Sequence, residues 1–163
     1  MAQLHYELLD QSEFLARLDP RRPKQANLRR SVSAAYYAVF HALAWEFARC
    51  FRSGVRSGAV RVISHGIAKN AAREIVASGT LKILPGPATC PADLVTVADD
   101  FVRLQVARND ADYSLSASFD RKAALAYSQR ARRAVGYIEQ ARETCPKELQ
   151  AFLLALVVGA KNP

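Results

Sequence analysis

Glycine and proline are scarce in this chain, seven of each in 163 residues. That scarcity argues against a turn-rich β-sandwich and against a disordered or low-complexity chain. Cysteine is rarer still: Cys50, Cys90 and Cys145 are an odd number with no CxxC and no Cys/His pairing. Such a set suits reduced thiols in a cytosolic protein and gives neither a disulfide framework nor a zinc site. Long apolar runs are missing as well. The longest charge-free apolar segment, Ala151 to Ala160, falls well short of the ~20 residues that a membrane-spanning helix needs. Met1 leads into Glu7, Asp10 and Glu13 with no long apolar run, so no secretory signal is expected. There is no Gly-rich phosphate loop, no helical His/Glu/Asp pair at ligand spacing and no distinguishable Ser/His/Asp arrangement. No metal, nucleotide or redox cofactor is therefore expected.

What the chain does have is Ala, Leu, Val and Arg, arranged with helical periodicity. Its length fits one domain, residues 1–163, large enough to bury a core without staples. Six helical segments are expected, making an all-α, up-and-down bundle. The first, about Ala2 to Leu18, carries Leu4, Leu8, Phe14, Leu15 and Leu18 and ends at Asp19-Pro20-Arg21-Arg22-Pro23. The second, about Gln25 to Phe51, is apolar on two sides, one along Leu28, Val32, Tyr36, Val39, Leu43 and Phe47 and the other around Tyr37, Phe40, His41 and Ala44. A helix patterned that way belongs at the centre of a bundle. Gly54 to Gly58 reads as a loop. The third segment, Ser64 to Ser78, stops at Gly79, a left-handed cap. A connection rich in proline, Leu84 to Pro91, precedes a fourth helix that begins near Pro91 and frays by Tyr113. After a turn at Ser114 to Ser118, the fifth helix, about Asp120 to Glu143, shows a face of small residues. The sixth starts at Pro146 and is strongly apolar through Leu149, Phe152, Leu153 and Leu156, so it either caps the bundle or joins a subunit interface.

The net charge of +8 is unevenly spread. Between Arg17 and Arg61 there are ten basic residues against two acidic ones, and Arg130, Arg132 and Arg133 form a second cluster. This is the footprint of a nucleic-acid binder, with Arg29, Arg30, Arg130 and Arg133 as candidate RNA contacts. Asp93, Asp99, Asp100, Asp110 and Asp112 crowd the fourth segment, where they could neutralise basic surface from elsewhere in the fold. An Arg-rich chain with solvated helix faces would give the same pattern without any ligand.

The fourth segment contains the most unusual local feature. Its apolar stripe runs Leu94, Val97, Phe101, Leu104 and then Arg108, at steps of three and four. A guanidinium on a core stripe must meet a partner, snorkel or line a cleft. Arg108 is followed by the polar cluster Asn109, Asp110, Asp112 and Tyr113. An internal ion pair with Asp112 one turn on, or with Asp99 or Asp100, would account for Arg108 structurally.

Two stretches carry a family resemblance. Asn27 to Leu43, containing Tyr36-Tyr37-Ala38-Val39-Phe40-His41, and Ala98 to Tyr113, containing Arg108-Asn109-Asp110-Ala111-Asp112-Tyr113, together resemble HEPN domains (higher eukaryotes and prokaryotes nucleotide-binding). The likeness is to the bacterial group with a Tyr-Tyr-Ala-x-Phe-His helix and a later Arg-x-x-Ala-Asp-Tyr sequence. Ser64-His65-Gly66 also looks like that group. The resemblance covers residues 11–142, leaving 146–160 as an extra apolar helix. It implies a helical bundle that commonly dimerises, often a metal-independent ribonuclease toxin paired with a small nucleotidyltransferase as antitoxin. In such members an Arg, a following polar residue and a His four to six positions after the Arg lie in a cleft at the dimer interface. Arg108 and Asn109 match the start of that motif, but Asp112, Tyr113 and Ser114 occupy the histidine window. In related systems a tyrosine near the motif accepts nucleotidyl groups, a role that would fall to Tyr113.

Metal-free RNA cleavage needs a base for the 2′-hydroxyl, and imidazole suits that task near neutral pH. Aspartate, with a reference pKa of about 3.9, and tyrosine, near 10, do not. A histidine from elsewhere would have to be His41, one turn after Tyr37, or His65; otherwise His41 is a buried imidazole and His65 a helix-start residue. Three readings follow. The chain is a HEPN-type RNA- or nucleotide-binding protein or accessory subunit of a bacterial stress or defence system; or a ribonuclease toxin acting through Arg108; or a non-enzymatic helical interaction module.

Overall fold

The computed structural model describes residues 3–51, 63–82 and 88–159. The loop expected at Gly54 to Gly58, the first half of the proline connection, and Arg52, Arg56 and Arg61 lie outside the described residues. Among the described residues there are six helices: α1 (Leu4–Arg17), α2 (Gln25–Cys50), α3 (His65–Ser78), α4 (Ala92–Tyr113), α5 (Arg121–Thr144) and α6 (Pro146–Val158). The chain is an all-α helical bundle. One small addition was not expected: Thr80–Leu81 (β1) and Ala88–Thr89 (β2) pair antiparallel, Thr80 opposite Thr89 and Leu81 opposite Ala88. This clip brackets the proline connection, and Cys90 N–H extends it by donating to Gly79 O at 2.8 Å.

Side-chain pairings fix the helix directions. Ser12 meets Ser31 and Asp19 meets Asn27, so α1 and α2 run antiparallel. Ser33 meets Asp112 and Tyr37 meets Arg108, so α2 and α4 are antiparallel too. Tyr6 pairs with Glu139 and Glu13 with Arg132, setting α5 antiparallel to α1. The central helix is α2, as its two apolar faces require: Leu28, Val32, Tyr36, Val39, Phe40 and Leu43 are all buried.

Local signals place the helix ends. Gly79 closes α3 at φ 63°, a conformation that suits glycine, and its N–H returns to Ile75 O. Asp120 caps α5 by accepting from Ala123 N–H at 2.6 Å. Pro146 takes the first position of α6, whose Leu149, Phe152, Leu153 and Leu156 are buried within the same chain against α3, α5 and α2. Of the two roles open to that helix, it caps the bundle.

The first helix turns differently from its large apolar residues. Its buried residues are His5, Leu9, Ser12 and Ala16, while Leu4 and Phe14 are 50% and 63% exposed. Small side chains explain the rotation. Ser12, Ser31 and Ser128 are buried where α1, α2 and α5 approach closely; Ser12 Oγ donates to Ser31 O at 2.8 Å and lies 2.5 Å from Ser128 Oγ. Each buried hydroxyl is thereby satisfied, Leu4 and Phe14 are left on the outward side of α1, and Leu8 and Leu15 are only half-buried.

Candidate functional site

The stripe of α4 delivers Arg108 where the sequence places it. Leu94, Val97, Phe101 and Leu104 are buried, and the next position on that side holds the guanidinium, 17% exposed, against α2. Its partners are local and aromatic. Nη2 donates to the Tyr37 hydroxyl at 2.7 Å and, over a longer 3.4 Å, to that of Tyr113; Nη1 donates to Asn109 Oδ1 at 3.2 Å. Nε lies 2.8 Å from Asp112 Oδ2, but its N–H is not directed at that oxygen, so the pair is a charge contact rather than a hydrogen bond. The Cζ atom sits 5.3 Å from the Tyr37 ring centroid, 5.2 Å from that of Tyr113 and 6.0 Å from that of Tyr36. Cation–π attraction therefore reaches the guanidinium from three sides. Burial works against the charge, and Tyr37, Asp112 and Tyr113 outweigh it, holding the Arg108 pKa above its ordinary value.

The internal ion pair is thus with Asp112. Asp99 and Asp100 face elsewhere: Asp100 is fully buried and accepts from Arg130 and Arg133, while Asp99 pairs with Arg103. Asp112 is itself positioned by Ser33, whose hydroxyl donates to Oδ1.

A histidine does enter from another helix. His65 opens α3, and its Nδ1 pairs with the Tyr36 hydroxyl. The imidazole stacks on Phe40, with centroids 4.3 Å apart at 22°, and meets the Tyr37 ring edge-on at 6.4 Å. Gln105, one turn before Arg108, anchors the start of α3 by donating Nε2 to His65 O at 2.9 Å. Burial lowers the His65 pKa, and the charges of Arg108 and His41 lower it further, so the ring is neutral near pH 7. Tyr36 is wholly buried and its pKa is pushed upward by that burial, so it keeps its proton. Its one hydrogen-bond partner among the described residues is His65 Nδ1, so the tyrosine O–H donates there. The imidazole proton then resides on Nε2, and neutral His65 offers a donor rather than a basic nitrogen.

Arg108, Asn109, Asp112, Tyr113 and Tyr37 accordingly meet in one cluster, with His65 joined through Tyr36. His41 lies one turn along α2, edge-on to Phe40 at 5.9 Å and with its pKa lowered by burial; it makes no hydrogen bond among the described residues. The other candidate arginines divide. Arg29 donates to Ala111 O, Ser114 O and Ala117 O, tying off the C-terminal end of α4. Arg130 and Arg133 clamp Asp100. Arg30 is exposed and makes no hydrogen bond or ion pair among the described residues. It separates two shallow hollows: one of about 450 Å3 beside Leu8, Gln11, Leu15, Ser33, Ala34 and Tyr37, and another beside Asp112 and Tyr113. Tyr36, Ser33 and Gln105 are the residues that sequence reasoning passed over. Ser33 carried a signal, since it precedes Tyr37 by one turn.

Among the described residues no group of three His, Cys, Asp or Glu side chains is placed to hold a metal ion. None of the described helices is long and apolar enough to cross a membrane. Comparison with known families, curated proteins and solved structures returns no match to this chain.

Proposed function

We propose that this chain is a HEPN-type RNA-binding domain that holds a phosphate of single-stranded RNA at the Arg108 cluster without cutting it. In this reading it serves as an accessory component of a bacterial, toxin–antitoxin-like stress or defence system in the cytoplasm. The observation that supports the reading is a guanidinium held against two tyrosine hydroxyls with no free base beside it. Arg108 keeps a second Nη1 proton, the Tyr37 hydroxyl accepts from Arg108 and so directs its own proton elsewhere, and His65 carries its proton on Nε2. Donors of this kind recognise phosphate oxygens. The only anionic acceptor among them, Asp112, has one oxygen against Arg108 and the other accepting from Ser33.

The protein acts as a homodimer in this proposal. The buried α6 gives that no support, but α1 does: Leu4 and Phe14 stand exposed on it, and its Leu8 and Leu15 line a hollow shared with Tyr37. A small nucleotidyltransferase is the expected antitoxin partner, with the exposed Tyr113 hydroxyl as the group it would modify. A metal-independent ribonuclease is the second reading, favoured by the placement of a histidine within electrostatic reach of Arg108.

Purified protein incubated with mixed cellular RNA in EDTA, at low and moderate salt, tests both readings. Salt-sensitive binding of intact RNA by the wild type, lost in Arg108→Ala and weakened in Arg108→Lys, is the expected result, because a lysine keeps the charge but not the planar fork. Discrete fragments that disappear in Arg108→Ala would replace the binding reading with the nuclease. RNA neither bound nor cut would leave a protein-interaction module.

A further inference from the structure

The first turns of α2 and the last turn of α4 border a shallow, open hollow of about 400 Å3 lined by Ala26, Arg29, Arg30, Ala111, Asp112 and Tyr113. Its volume falls within the roughly 300–1,000 Å3 usual for small-ligand sites. Three of its walls have definite chemistry. Tyr113 is 70% exposed, and the Arg108 guanidinium backs its ring at 5.2 Å, leaving most of the aromatic surface open for stacking. Arg30 is a guanidinium without a partner among the described residues, whereas Arg29 beneath it is committed to three carbonyls. Asp112 has one oxygen accepting from Ser33 and the other against Arg108 Nε. A carboxylate has about four lone-pair sites, so two remain for donors from a ligand. The alanines on the remaining walls leave room for a flat ring.

These walls discriminate between anionic ligands. An acidic peptide would satisfy Arg30 but would bring further carboxylates toward Asp112 and give Tyr113 nothing planar to stack on. A nucleotide offers phosphate to Arg30, a π-face to Tyr113 and a hydroxyl or amine hydrogen to Asp112. We infer that this hollow seats one nucleotide of single-stranded RNA, adjacent to the phosphate held at Arg108. The inference rests on the RNA-binding reading above and locates the strand: it leaves Arg108 past Tyr113 toward the N-terminal end of α2, where Arg21 and Arg22 are also exposed.

The test uses the full chain and two fluorescein-labelled probes, an oligouridylate of about 8 nucleotides and a ribose-phosphate chain of the same length without bases. For the oligouridylate, Tyr113→Ala weakens binding about tenfold and Tyr113→Phe leaves it near wild type, because stacking needs the ring and not the hydroxyl. For the abasic chain, which feels only the loss of the Tyr113 ring and hydroxyl from Arg108, Tyr113→Ala weakens binding distinctly less. Arg30→Ala lowers the slope of log affinity against log salt by about 0.7, the loss of one phosphate contact on a single strand. Wild-type affinity in Tyr113→Ala for the oligouridylate, or equal weakening toward both probes, overturns the nucleotide seat while leaving RNA binding at Arg108 standing. A wild-type protein that binds neither probe overturns the RNA reading itself. Both side chains are exposed, and a thermal melt of each variant verifies folding.

Discussion

Asp100 ties down two of the candidate arginines, Arg130 and Arg133. Its carboxylate is fully buried and accepts Arg130 Nη1 at 2.6 Å, Arg133 Nη2 at 2.6 Å and Arg133 Nε at 3.0 Å. In Asp100→Asn the shape persists, but the charge goes and an NH2 group turns toward guanidinium donors. Hydrogen bonds to charged groups contribute about 1.5–3 kcal/mol each. The two arginine side chains are 31% and 47% exposed, so solvent screens part of that and lets them swing away after the substitution. A net loss of about 2–3 kcal/mol is expected for Asp100→Asn. Replacing both arginines by methionine should cost about 3–5 kcal/mol, because a buried carboxylate is then left without its cations. Adding Asp100→Leu to that double variant removes the stranded charge and should recover most of the loss. Urea unfolding followed by circular dichroism measures each difference, with an unchanged m-value as the condition for comparing midpoints. The same variants, where folded, should bind RNA like the wild type. Asp100→Asn within about 0.5 kcal/mol of wild type, together with weaker RNA binding in the double methionine variant, would refute the clamp and return Arg130 and Arg133 to the candidate ligand surface.

Two further predictions concern the scaffold. His5 is 4% exposed, and burial lowers its pKa despite the opposing pull of Glu139 and Glu46. The unfolded chain therefore takes up the proton first as pH falls through about 6.5, so stability is full above that pH and declines below it. Thermal melts between about pH 7 and pH 5 should show the decline, and His5→Leu should flatten it without abolishing it, since His41 and His65 shift the same way. A slope unchanged in His5→Leu would exclude His5 as a contributor. Gly79 and Gly159 both adopt positive φ, 63° and 78°, but a Cβ at Gly79 meets open space while one at Gly159 would sit 2.9 Å from Ile67 Cγ2. Gly79→Ala should cost about 1 kcal/mol for the left-handed backbone alone. Gly159→Ala should cost distinctly more; equal losses in urea titrations would show that the Ile67 contact relaxes freely.

Helix order and ends were legible because their determinants are local. Gly79, Pro146 and Asp120 act within a turn of their own positions, and the Arg108–Asp112 contact follows from a four-residue spacing. The face of α1 was not legible for the opposite reason. Residue size argued for burying Leu4 and Phe14, whereas the close approach of three helices at Ser12, Ser31 and Ser128 selects small side chains, and sequence cannot reveal which helices meet there. The site divides in the same way. Arg108, Asn109, Asp112 and Tyr113 lie within six residues, so their meeting needed only a helix. The role of His65 depends on tertiary placement: Tyr36 is 29 positions away, and only its burial determines which way its proton points. That direction bears on function. With Tyr36 donating to Nδ1, the exposed imidazole nitrogen carries a hydrogen and is suited to gripping phosphate. Were Tyr36 supplied with another acceptor, its proton could turn away, Nδ1–H could donate back to the phenol oxygen, and Nε2 would be left as a free base within electrostatic reach of Arg108. On the RNA-binding proposal, binding and cleavage at this cluster would thus differ by one proton position, held by a residue that contacts no RNA.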